Sequence, residues 1–323
     1  KMSMISFNLH LLRKPNLHSM CSHRANGAYP NISRAVCIGL RKGSVPRTMS
    51  CHRINNFMRA ELKPTKADKE IRTCLDNYRS FAVVAGAGSG KTTSLVEALK
   101  YVRKKRGAEL LLNSQQIVCI TYTKRAVAVI SERLGFDELF QVSTLHSFLW
   151  ASIGRFQKDI REAFRAKLIP DLIIRTAEKD NGGKSKVALK ARARVVELNA
   201  QLALLDNVDD FRYDDGSAFS DFSSGQIGHD DMIDLATYLI LEKPLLRRGL
   251  GARFPYIFVD EAQDTFDSVI VAFNSICSDD GLPLVGYFGD PMQQIYGNGT
   301  GAFWEAGNIA QITKEENFRS VKP

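Results

Sequence analysis

The sequence predicts an α/β fold, a parallel sheet flanked by helices and carrying a mostly helical insertion. Three observations predict it. Short apolar runs at Phe81–Ala85, Gln116–Thr121, Tyr256–Asp260 and Leu284–Phe288 have the length and the β-branched or aromatic content of buried strands. Helical patterns lie between them. Lys124–Leu134 places Val127, Ile130 and Leu134 on one face before a stop at Gly135, and Asp267–Cys277 aligns Val269, Ile270, Phe273, Ile276 and Cys277. From about residue 150 to 254 strand-like runs give way to helical ones at Lys158–Lys167, Lys186–Leu205 and Met232–Leu241. Strands alternating with helices form parallel sheets through right-handed crossovers, and ligands gather at the carboxyl ends of such strands.

The run Tyr256–Asp260 follows Pro255 and ends with Asp260 and Glu261 side by side. Packing does not explain adjacent carboxylates at the end of a buried strand, because a charge leaving water is costly unless it is paired. A magnesium ion and a polarised water are suitable partners.

Residues 81–93 read Phe-Ala-Val-Val-Ala-Gly-Ala-Gly-Ser-Gly-Lys-Thr-Thr, and the helical pattern Ser94–Leu99 follows. Strand, glycine loop, Lys-Thr and helix together form the context of a phosphate-binding loop. Gly86, Gly88 and Gly90 let the backbone approach phosphates with its N–H groups turned inward, and the helix N-terminus favours an anion. The nucleotide-binding set is Ala85, Gly86, Ala87, Gly88, Ser89, Gly90, Lys91, Thr92 and Thr93. Ala85 stands where the strict pattern has glycine. In phosphoryl-transfer chemistry Lys91 would hold phosphate, Thr92 and Asp260 would hold Mg2+, and Glu261 would activate the attacking water. The expected cofactors are ATP and Mg2+.

Composition narrows the class further. At 323 residues the chain is long enough for about two domains. It has no apolar run of the roughly 18 residues a membrane span needs. The six cysteines lack CxxC spacing, so neither a zinc site nor a disulfide framework is expected. The net charge of +9 is misleading, because residues 1–57 hold nine Lys or Arg and no Asp or Glu. The rest carries 35 basic and 35 acidic residues, so any nucleic-acid contact must come from a local patch.

The expected organisation has four parts. Residues 1–57 are a basic leader, disordered or non-native, since Lys1 opens the chain and Met58 opens the segment that reads as a domain. A transit peptide or a nucleic-acid arm are alternatives for it. Residues 58–150 form the first part of the ATPase domain, 151–230 a helical accessory insertion and 231–323 the second part. Within the insertion, Asp206–Gly228 is rich in Asp, Gly and Ser, with Phe211, Tyr213, Phe219 and Phe222 interleaved. It reads as a loop or an irregular hairpin.

Over roughly residues 58–320 the chain resembles the superfamily 1 DNA helicases of the UvrD/PcrA/Rep type. Ala-Gly-Ala-Gly-Ser-Gly-Lys-Thr at 85–92 is similar to their motif I, and Thr-Tyr-Thr-Lys-Arg-Ala at 121–126 to motif Ia. Ser-Thr-Leu-His-Ser-Phe at 143–148 resembles the Thr-Phe-His-Ser-Phe segment. Val-Asp-Glu-Ala-Gln-Asp at 259–264 resembles motif II, Gly-Asp-Pro-Met-Gln-Gln-Ile-Tyr at 289–296 motif III, and Asn-Phe-Arg-Ser at 317–320 motif IV. The resemblance implies a RecA-like P-loop NTPase domain, with the insertion as the family's accessory domain. It implies that Gln263 and Gln293 sense the γ-phosphate and that Arg319 places a positive charge on it. It also implies that Tyr122 stacks on a base of single-stranded DNA, that Thr123, His146 and Ser147 follow the strand's phosphates, and that Tyr296 makes a further base contact. Taken alone, Tyr122 at a strand end reads more often as packing than as stacking, and His146 reads about equally as a core histidine.

Two departures stand out. Lys66 occupies the place of the glutamine that reads adenine in the family, and the chain stops at Pro323, before the family's second motor domain. The expected parent is therefore an ATP-dependent 3′–5′ DNA helicase or translocase, cytoplasmic and possessing no membrane anchor. It would be nucleoid-associated if bacterial and would work with a nuclease or repair partner. The competing expectations are an ATP-gated switch for a partner nuclease, without unwinding, and an inert truncated remnant.

Overall fold

The computed structural model describes residues 64–86, 88–217, 219–277, 282–290 and 309–315. The leader 1–57 lies outside the described residues, as do Ala87, Gln293, Tyr296 and Arg319.

Among the described residues, six strands form one sheet: β1 (Phe81–Ala85), β2 (Ile117–Thr121), β3 (Phe140–Thr144), β6 (Tyr256–Val259), β7 (Leu284–Gly289) and β8 (Ala310–Lys314). They run in the order β3-β2-β6-β7-β1-β8, and every pairing is parallel. The expected α/β class is what the structure shows. The four central strands are continuous apolar runs because both faces of a parallel sheet are covered. Ala82, Val118, Ile120, Ile257, Val259, Val285 and Tyr287 enter one core, while Phe81, Val83, Ile117, Cys119, Phe258 and Phe288 enter the other. That alternation is the strand's period of two.

The second core is closed by α1 (Lys66–Asp76) and α2 (Lys91–Leu112) and reaches α3 (Lys124–Arg133) through Ile130. Thr65 and Asp68 start α1 with a reciprocal capping box. Phe81, Phe258 and Phe288 meet in this core with ring centroids 5.8–6.4 Å apart, packed over Gly286.

The first core is covered by α4 (Leu145–Ile153), α5 (Gln157–Ala163), α6 (Ile169–Ala177), α7 (Lys186–Leu204), α8 (His229–Glu242), α9 (Pro244–Arg253) and α10 (Asp267–Ile276). Side-chain hydroxyls of Thr123, Thr144 and Ser185 cap α3, α4 and α7. No helix among the described residues is long and apolar enough to cross a membrane.

Several elements differ from the sequence expectation. β3 and β8 are absent from the apolar-run reading because they are the sheet's edges. Phe-Gln-Val-Ser-Thr is half-buried throughout, and in Ala-Gln-Ile-Thr-Lys only Ile312 and Lys314 are buried. The helix expected over Lys158–Lys167 is α5 followed by a π-turn, Phe164–Leu168, which leads directly into α6. Pro170 is accommodated in the first turn of α6, where a missing N–H costs little. The segment 206–228 is irregular, with two-residue strands β4 (Arg212–Tyr213) and β5 (Gln226–Ile227) paired in parallel.

Candidate nucleotide-binding site and nucleic-acid surface

The glycine loop leaves β1 and enters α2. Gly88 and Gly90 have φ of 78° and 79°, a left-handed conformation that glycine adopts without strain. Gly90 caps α2 with no side-chain hydrogen bond, and the first turn holds no acidic residue. Thr93 N–H already donates to Gly90 O, which leaves the Lys91 and Thr92 N–H groups of the first turn for an anion. Ser89 is buried, and its Oγ finds no hydrogen-bond partner among the described residues.

β7 lies between β1 and β6, so the loop faces the end of β6 across the end of β7. Lys91 Nζ donates to Glu261 Oε2 at 2.7 Å, with the lysine side chain 10% and the glutamate 39% exposed. Gln263 Nε2 donates to the same oxygen at 2.9 Å, and Gln263 Oε1 accepts from the Asp290 backbone N–H at 3.0 Å. Gln263 thus ties the end of β6 to the residue that follows β7. Glu261 itself adopts φ 52° and ψ 43°. A left-handed glutamate costs on the order of 1–3 kcal/mol and persists only where its surroundings impose it, most often at functional sites.

Asp260 is 3% exposed, and its backbone N–H donates to Ile120 O at 2.8 Å. Burial, and then the adjacent Glu261 charge, push its carboxyl up to about 6, against the opposing pull of Lys91 and the Glu261 N–H. A cation would reverse that cost. The buried acid, the uncapped helix, the glycine cradle and the unpaired Ser89 hydroxyl all fit a nucleotide with its metal.

The nucleic-acid candidates lie elsewhere on the same edge. Tyr122 and Thr123 follow β2, His146 and Ser147 follow β3, and Thr121 pairs with Thr144. Thr123 and Ser147 are exposed in helix-capping turns: Thr123 Oγ1 accepts from Ala126 N at 3.1 Å, and Thr144 Oγ1 donates to Ser147 Oγ at 2.8 Å. Tyr122 is half-buried against the first core.

His146 has a more elaborate environment than either sequence reading anticipates. Its ring stacks on Tyr213 (centroids 6.1 Å apart, planes 9° apart) and lies 4.7 Å from the His229 ring. Tyr213 Oη is 2.5 Å from His229 Nδ1. Burial and then His229 hold the His146 imidazole below its ordinary value, while burial and nearby Asp215 and Asp214 raise Tyr213 to about 12. Lys124 Nζ meets Asp215 Oδ2 at 2.5 Å. The interleaved aromatics of 206–228 were the sequence signal for this contact, but nothing local indicated which surface they would cover.

Lys66 opens α1 with its side chain largely exposed and 3.8 Å from Glu70.

A parallel sheet with a glycine loop after one strand and an Asp-Glu pair after another, separated by a single strand, defines a P-loop nucleotide triphosphatase. Residues 68–299 match the family described as AAA domain, and the chain belongs to it, within the superfamily 1 helicases of the UvrD/PcrA type. It is 28% identical to Gabija protein GajB of Bacillus cereus over 80% of this chain and 47% of that protein. It is 28% identical to ATP-dependent DNA helicase UvrD1 of Mycobacterium tuberculosis over 66% of this chain and 31% of that protein. It is 24% identical to ATP-dependent DNA helicase PcrA of Leuconostoc citreum over 74% of this chain and 35% of that protein. The chain therefore spans about half the length, or less, of these relatives.

Proposed function

We propose that this chain supplies the ATP-hydrolysing portion of a DNA motor that couples nucleotide turnover to movement along single-stranded DNA, in the 3′ to 5′ direction. The observation that carries the reading is the convergence of Lys91 and Gln263 on one carboxylate oxygen of Glu261, at the end of the strand that also delivers Asp260.

Lys91 and the first-turn N–H groups of α2 bind the phosphates. Thr92 and Asp260 would hold Mg2+, which would neutralise phosphate charge when bound. Glu261 accepts a proton from the attacking water, and Gln263 carries the state of that carboxylate to Asp290. Gln293 and Arg319 have the roles that the resemblance implies, sensing the γ-phosphate and supplying it with a positive charge. DNA runs over Tyr122, Thr123, His146 and Ser147, at the ends of β2 and β3 on the far side of β6 from the glycine loop, with Tyr296 as a further base contact implied by the resemblance.

The test compares wild type with Lys91→Ala for Mg-ATP binding and for ATP hydrolysis with and without single-stranded DNA. A DNA-stimulated turnover abolished by Lys91→Ala is expected. Equal turnover in both proteins would refute the assignment.

A further inference from the structure

Lys314 is the last residue of β8, in register with Ala85 at the start of the glycine loop. It is 5% exposed. Its Nζ donates to Ser94 Oγ at 2.5 Å and lies 3.7 Å from Asp68 Oδ1. Ser94 Oγ in turn donates to Asp68 Oδ1 at 2.5 Å. The other Asp68 oxygen accepts the Thr65 N–H at 2.9 Å and completes the cap of α1. Burial pushes the Asp68 carboxyl up, but the Ser94 and Thr65 hydrogen bonds and the Lys314 charge outweigh it and hold the group below its ordinary value.

This cluster joins the edge strand β8, the N-terminus of α1 and the first turn of α2. Ser94 lies one helical turn after Lys91 and two residues after Thr92. Apolar side chains could join the same elements, because a buried ion pair recovers little more than its own desolvation cost. A hydrogen-bonded charge pair adds direction, fixing the rotation and height of the α2 first turn against the strand beside the loop. A group that binds through geometry loses affinity when its support loosens, even with every contacting residue intact.

We infer that Lys314 is a positioning residue for the nucleotide, acting through Ser94 on the Lys91–Thr93 turn, with Asp68 as its counter-charge. The inference rests on the nucleotide site proposed above. It extends that site to three residues outside the phosphate loop and the Asp260–Glu261 segment.

The test uses the full chain and a fluorescent ATP analogue with Mg2+, alongside thermal melting. The double variant Lys314→Met, Asp68→Asn removes both charges, and Ser94→Ala cuts only the link to α2. Each is expected to bind the analogue five- to tenfold more weakly, with the melting temperature unchanged or raised. Lys314→Arg, which keeps the charge, is expected to bind within about twofold of wild type. Unchanged affinity in both the double variant and Ser94→Ala overturns the inference. So does a loss of affinity that tracks a fall in melting temperature, which makes the cluster merely structural. If the wild-type chain does not bind the analogue, the site reading fails and the inference fails with it.

Discussion

Lys91 Nζ lies 2.7 Å from Glu261 Oε2, which pairs the lysine proposed to hold phosphate with the carboxylate proposed to activate water. A phosphate held by Lys91 would compete with Glu261 for that ammonium. Glu261→Gln weakens the competitor and removes the base together. The expected outcome is ATP binding two- to tenfold tighter, with turnover at least ~100-fold slower, the usual size of a general-base contribution. Equilibrium binding and steady-state hydrolysis on the same preparation check it. Turnover within a few-fold of wild type would remove Glu261 from the chemistry.

Asp260 is expected to lower stability at neutral pH when no cation is bound beside it. Its folded-state value is about 6 against 3.8 for the free group, so the folded state holds the proton more tightly. The associated stability is fully present below pH 3.8 and is lost as pH rises through about 6. At pH 7.5 the cost is on the order of 3 kcal/mol. Asp260→Asn is expected to raise the melting temperature in EDTA at pH 7.5 by roughly 5 °C, with the gain vanishing near pH 4. A variant that melts below wild type at pH 7.5 in EDTA would contradict this account.

The nucleic-acid surface calls for a different measurement. Tyr122→Ala is expected to weaken single-stranded DNA binding about tenfold, irrespective of base sequence, as the loss of a stacking platform should. Asp215→Asn is expected to act in the opposite sense. It frees Lys124, whose ammonium now rests on Asp215, and should tighten binding a few-fold at low salt. That gain should disappear near 0.5 M salt, where roughly 4 Å of Debye length screens exposed charges. Fluorescence anisotropy over a salt series separates the two effects.

Gly286 tests the packing under the site. A Cβ there would lie 2.7 Å from Phe81 Cζ and 3.0 Å from Phe258 Cδ1, and both rings are buried. Gly286→Ala is expected to cost about 1–3 kcal/mol in denaturant unfolding, the range for overpacked cores. Gly86→Ala, where an added Cβ meets nothing within 4 Å, is the steric control.

Much of the fold is legible in the sequence because the central strands are buried on both faces and so become uninterrupted apolar runs. The edges are not legible for the converse reason. In β8, Ile312 is the buried apolar position, and the strand ends on a buried lysine that no hydrophobic pattern would select. The break in the helical run at Phe164–Leu168 escapes as well. A π-turn shifts the hydrogen-bond pattern by one residue without changing composition.

The sequence by itself determined which residues belong to the candidate site. A phosphate cradle needs consecutive N–H groups and closely spaced glycines, and a metal-and-base pair can be two neighbours at a strand end. Such chemistry is written locally. Only the tertiary structure decided what each of those residues touches. Lys91 and Glu261 stand 170 positions apart and meet because β7 alone separates β1 from β6 in the sheet. Gln263 reaches Asp290, Tyr213 covers His146, and Lys314 reaches Ser94 across 220 positions. These contacts follow from strand order and crossover path, which depend on how the whole core packs and leave no periodic trace in any one segment.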